Sequence, residues 1–155
     1  MVPILLICAG CQINPAASFD FPETTDFSLE AVVEPVGEQE SIVGVTLTNG
    51  TESDYMIHYD QNLITCFIDG VPEKLAEETD FAYYLLRAGT AMKRDISVSG
   101  TGNPSIRITA SFQIPPRTNF DDTSNLALYG NYDLDNMRDY SIQMEEFSLK
   151  DKNAG

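Results

Sequence analysis

The sequence predicts an all-β sandwich of seven to nine short strands with at most one short helix. Three observations carry that prediction: apolar and polar side chains alternate with period two from Phe27 onward, turn-forming residues recur about every ten positions, and no long apolar stripe has helical spacing. Hydrophobic residues make up 43% of the 155 and charged residues 21%, which suits one packed domain rather than a disordered chain.

Phe27, Leu29, Ala31 and Val33 alternate with Ser28, Glu30 and Glu34 as a half-buried strand, which Pro35 and Gly37 end. Ser41 to Thr48 continues the pattern with Val43, Val45 and Leu47 on one face. Asn49-Gly50 reads as a turn, because both residues tolerate positive φ. Tyr55, Ile57 and Tyr59 form a third set, broken by Asp60-Gln61-Asn62. Leu63 to Ile68 is apolar on both faces, as in a central strand, and Asp69-Gly70 is a hairpin signal. Pro72 to Glu78 reads as one or two helical turns, with Pro in the first turn and glutamates nearby. A strand then runs from Phe81 to Leu86.

The clearest alternation is Ser105 to Ile114, with Ile106, Ile108, Ala110, Phe112 and Ile114 facing in, and Pro115-Pro116 stops it. Tyr140, Ile142 and Met144 share one parity, whereas Phe147 and Leu149 have the other. One inserted residue near Glu145-Glu146, a β-bulge, reconciles them.

In Leu134-Asp135-Asn136-Met137-Arg138-Asp139-Tyr140-Ser141-Ile142-Gln143-Met144, a Leu stands six residues before Tyr140 and apolar residues two and four after it. That spacing resembles the tyrosine corner of immunoglobulin-like modules, including the fibronectin type III branch. The resemblance implies an immunoglobulin-like β-sandwich in which Tyr140 begins strand F, its ring beside Leu134 and its hydroxyl on backbone near Asn136. Val45-Thr46-Leu47-Thr48-Asn49, Phe67-Ile68-Asp69-Gly70 and Leu86-Arg87-Ala88-Gly89-Thr90 are similar to the small immunoglobulin-like proteinase inhibitors of bacteria. That family has a strand ending in Asn, an Asp-Gly turn and a Leu-x-Pro-Gly turn, with Ala88 at the position of the Pro. The similarity implies a loop such as Gly100-Thr101-Gly102-Asn103-Pro104 in a protease cleft.

The first eleven residues carry no side-chain charge and are mostly apolar, too short a run to span a bilayer but suited to a secretory signal. Ile7-Cys8-Ala9-Gly10-Cys11 resembles the lipobox of bacterial lipoproteins, with Cys8 where an aliphatic is usual. The resemblance implies a signal peptide over 1–10, lipidation of Cys11, and export to a bacterial membrane at the cell envelope or surface. Residues 12–25 contain two Pro and no alternation, so 11–25 reads as lipidated Cys and tether, 26–150 as the domain, and 151–155 as a disordered tail.

Nine Lys+Arg against 24 Asp+Glu give a net charge of −15, which excludes nucleic acid as a primary partner. Three Cys and one His exclude a Cys/His zinc cluster. Cys66, within an apolar run, reads as a buried hydrophobe, and His58 as an exposed or half-exposed strand residue. The Asp133-x-Asp135 spacing fails as an EF-hand, because Met137, Arg138 and Met144 stand at essential positions. A looser calcium site on Asp121, Asp122, Asp133 and Asp135 stays open beside their reading as turn carboxylates. Tyr83-Tyr84 is either part of a core strand, the preferred reading, or an aromatic surface for a partner.

No Gly-rich phosphate loop, nucleophile elbow or His-Glu-x-x-His is present, so no catalysis is expected. The expectation is a lipid-anchored envelope module acting by protein binding or as a structural component. A proteinase inhibitor and a calcium-dependent adhesion or ligand-binding domain are the alternatives.

Overall fold

A computed structural model describes residues 21–73, 79–99, 102–117 and 132–149. The strands are β1 (Phe27–Pro35), β2 (Glu40–Asn49), β3 (Tyr55–Gln61), β4 (Ile64–Ile68), β5 (Val71–Pro72), β6 (Thr79–Leu86), β7 (Ala91–Ser99), β8 (Ser105–Ile114), β9 (Arg138–Gln143) and β10 (Phe147–Ser148). Eight of them have five residues or more. The helical elements that lie wholly within the described residues are two single 3-10 turns, Thr24–Asp26 and Leu134–Asn136, where at most one short helix was expected. Among these residues no helix is long and apolar enough to cross a membrane.

One antiparallel sheet has the order β1-β2-β7. In the other, β8 is central, with β9 and β10 along one edge and β4 and β3 end to end along the other. Outside these lie β5, on β4, and β6, on β3. The chain changes sheet after β2, β6 and β7. A three-strand sheet thus packs on four ribbons in the Greek-key order of an immunoglobulin-like sandwich.

The alternation places the core where it points. Val43, Val45 and Leu47 are fully buried on one sheet, and Ile106, Ile108 and Ala110 on the other. Each large side chain so buried stabilises the fold by about 1.5–3 kcal/mol. Strand β7 has no counterpart in the sequence reading. Its inward Met92, Ile96 and Val98 are interrupted on the same parity by half-buried Arg94, so the pattern is hidden. Charges suit this position, since β7 is an edge strand.

Asp69 and Gly70 have φ of 50° and 83°, the primed turn that the pair predicts. Pro72, expected at a helix start, instead pairs with Phe67 in β5, because the turn carries the chain straight back along β4 and an edge strand tolerates Pro. Residues 74–78 lie outside the described residues. Residues 144–146 face only 107–108 of β8, since Gln143 pairs with Thr109 and Phe147 with Ile106. That is the expected one-residue bulge.

Asn49-Gly50 is not a positive-φ turn, because the chain here crosses between sheets instead of folding back in one. Gly50 serves close approach: a Cβ there would lie 2.9 Å from the Asp26 carbonyl oxygen, which the Gly50 N–H bonds.

The tyrosine corner is corrected. Tyr140 lies on β9, opposite Phe112, and the strand in the F position is β8. Its ring is buried and stacked on Phe112 at 5.3 Å, while Leu134 is 43% exposed. Its hydroxyl donates to the Pro22 carbonyl at 2.7 Å, not to backbone near Asn136. A buried phenol needs an acceptor, and the chain arriving ahead of β1 supplies it. Pro22 is buried, and Glu23 and Asp26 cap a 3-10 turn just ahead of β1.

Candidate functional site

The most distinctive surface opens where the partner of β8 changes. His58 of β3 pairs with Gln113, and Ile64 of β4 pairs with Ala110. Six residue steps on one side therefore match three on the other, so the ladder along β8 is interrupted at residues 59–63 while Tyr59, Asp60 and Gln61 stay paired with β6. Asp60-Gln61-Asn62 has the right chemistry for the excursion, and the Asn62 N–H closes a tight turn on the Asp60 carbonyl at 2.7 Å. A groove of about 540 Å3 results, lined among others by His58, Asp60, Asn62, Ser111, Gln113 and Asp139. Bulges of this kind are over-represented next to binding and active sites.

A hydrogen-bonded row crosses the outer face beside it. Gln113 Nε2 donates to Asp139 Oδ1 at 2.8 Å, and Gln113 Oε1 lies 2.9 Å from His58 Nδ1. The Tyr83 ring packs on the imidazole with centroids 4.9 Å apart. A carboxylate only accepts, so it fixes the Gln113 amide, whose oxygen then requires a proton on His58 Nδ1. Nε2 is the acceptor nitrogen of the neutral ring.

His58 is 8% exposed, not exposed or half-exposed as expected. Its partner Gln113 is 55 residues away, and Gln113 is 26 from Asp139, so no local pattern signals the row. The legible parts were the outward parity of Gln113 and the break at Asp60-Gln61-Asn62.

The other candidates are dispersed. Tyr83 belongs to the row, whereas Tyr84 points to the opposite face and is 37% exposed, so the two make no single patch. Asp133 Oδ1 accepts from the Asp135 N–H at 3.0 Å and Oδ2 from Asn136 Nδ2 at 2.7 Å, capping a 3-10 turn. Asp121 and Asp122 lie outside the described residues, as do Cys11 and the lipobox-like segment. Among the described residues no three His, Cys, Asp or Glu side chains converge on a metal position. Cys66 is fully buried, as expected. Burial first, and Glu73 second, push its thiol up to about 11, so little thiolate forms near neutrality.

Two of the inhibitor-like stretches meet. Asn49, fully buried, uses its whole side-chain capacity: Nδ2 donates to the Ser53 and Leu86 carbonyls, and Oδ1 accepts from the Thr51 N–H and hydroxyl. The Gly89 N–H donates to the Asn49 carbonyl, and the Asn49 N–H to that of Thr90. This clamp ties the end of β2 to the turn after β6. The Asp69-Gly70 turn is at the other end of the sandwich, where the Asp69 N–H bonds the Ser105 carbonyl. Of the loop at 100–104, the described part is tied to β10 through Asn103 and Ser148.

Comparison with known proteins finds no family model that matches the chain, and no curated protein or solved structure similar to it.

Proposed function

We propose that the chain is an exported module, lipid-anchored at Cys11 in a bacterial cell envelope, that binds a partner protein through the outer-face groove and performs no catalysis. The observation that carries this reading is the Asp139–Gln113–His58 row: its polar groups are fixed by one another before any ligand arrives, which lowers the ordering cost of binding. Interposing an amide keeps the carboxylate from stabilising an imidazolium directly, as a general base would require. The thiol is in the core, away from the row. Among the described residues, the Cys66 thiol and the row therefore do not form a nucleophile–base pair.

The anchor reading rests on Ile7-Cys8-Ala9-Gly10-Cys11. With Pro22 bonded by Tyr140, the eleven residues from Cys11 to Phe21 allow a reach of at most about 40 Å. Two experiments test the proposal. A fatty-acid probe tags the protein in cells and Cys11→Ala abolishes the tag; persistent tagging of that variant removes the anchor. Pull-down with the soluble domain, Gln12 onward, from the envelope of the source captures another envelope component.

Proteinase inhibition is a second reading, supported by the Asn49 clamp that unites two of the inhibitor-like stretches. A single stoichiometric protease in the same pull-down selects it.

A further inference from the structure

We infer that the occupant of the bulge-opened groove is a basic segment of the partner protein, its cationic side chains meeting Asp60 and Asp139. The inference rests on the binding reading above and names its partner chemistry. Both carboxylates line the groove, and among the described residues no Lys or Arg does. Asn62, Ser111 and Ser141 add groups that can accept as well as donate, and Gln113 offers its carbonyl side. Gln113 cannot rotate to offer its amide nitrogen to a ligand, since Asp139 holds that nitrogen and His58 holds the oxygen side. The groove thus favours a ligand that donates hydrogen bonds and carries positive charge.

Asp139 of β9 and His58 of β3 flank β8, their backbones about 10 Å apart, and Asp60 stands two residues beyond His58 along β3, so the two aspartates are on opposite sides of the groove and further apart at the backbone. That separation exceeds what one ammonium bridges and suits a peptide with two basic residues. The volume, about 540 Å3, falls within the roughly 300–1,000 Å3 of ligand pockets. The chain's net charge of −15 steers such a segment toward the protein and repels an acidic one. Arg138, adjacent in sequence, points to the other face, 4.0 Å from Glu23, and does not neutralise the groove.

The test is fluorescence anisotropy of the full chain with labelled Ser-Arg-Gly-Arg-Ser and Ser-Glu-Gly-Glu-Ser peptides. The Arg peptide binds saturably and the Glu peptide does not. Asp60→Asn with Asp139→Asn weakens the Arg peptide at least tenfold, whereas Glu52→Gln with Asp135→Asn, the same charge change on exposed residues elsewhere, weakens it less than twofold. Equal weakening by both double variants, with circular dichroism unchanged, assigns the attraction to diffuse charge and overturns the groove. Absence of saturable binding does the same. Should the envelope partner be captured equally by the groove double variant, the groove assignment fails while the binding module stands.

Discussion

At the scale of single residues, Tyr140 joins the most distant parts of the chain. Its ring stacks on Phe112 and meets the edge of Phe27 at 5.8 Å, contacts worth about 0.5–1.5 kcal/mol each beyond burial. Its hydroxyl is bonded 118 residues upstream, at Pro22. Tyr140→Phe removes that donor and leaves a buried carbonyl unsatisfied, so it costs about 1–3 kcal/mol at unchanged m-value in urea unfolding. Tyr132→Phe, at a half-buried position, costs less. Equal midpoints for Tyr140→Phe and the parent would remove the bond from the account.

The same residue sets an alkaline limit. Burial, the largest cause, pushes the Tyr140 phenol up to about 12 from 10.0, and burial raises the Cys66 thiol from 9.0 to about 11. Both are neutral acids that the native state holds protonated while the unfolded chain loses its protons. The stability they contribute is whole below pH 9 and is lost as pH rises to about 12. Urea midpoints fall across this window, and the gap between the parent and Tyr140→Phe is narrower near its top than at pH 8. A gap that stays constant contradicts the linkage.

Among the elements, β8 carries the fold, since it pairs with four other strands. Each of its edges is interrupted by extra residues on the facing side, and the two interruptions differ in consequence. The excess at 59–63 opens a groove. The single extra residue at 144–146 only lets Phe147 and Leu149 return to the core parity set by β8. Deleting Glu145 alone closes the ladder with Phe147 still opposite Ile106, so stability changes by less than about 1 kcal/mol. Deleting Glu145 and Glu146 together turns Phe147 and Leu149 outward and costs about 3 kcal/mol or more. Urea unfolding of both deletions checks this; similar losses would mean that the bulge does not set the register.

For the whole molecule, charge is the dominant feature beyond the core. A net charge of −15 on a 155-residue chain repels itself, and the ion pair between Arg138 and Glu23 is a long surface contact worth little. Sodium chloride screens the repulsion, so the melting temperature rises between 10 mM and 0.5 M salt. A fall over that range would show that local ion pairs outweigh the net repulsion. The same field underlies the choice of a basic partner segment for the groove.

What the sequence determined by itself is the local part: which residues alternate, where Asp69-Gly70 turns the chain, and that a residue is inserted before Phe147. Period and turn chemistry are properties of neighbouring residues, so Val43, Val45, Leu47 and Ile106 to Ile114 could be assigned to the core without partners. Arg94 hid β7 because its charge breaks a parity that only pairing with Val45 makes visible. The tertiary structure alone decided the rest. A buried polar group must find a partner wherever the fold brings one, and sequence distance puts no limit on that choice. Hence Tyr140 bonds Pro22 instead of the nearby Asn136, Asn49 clamps Leu86 instead of making a turn, and His58 is held by Gln113, its register partner on β8 55 residues away in sequence.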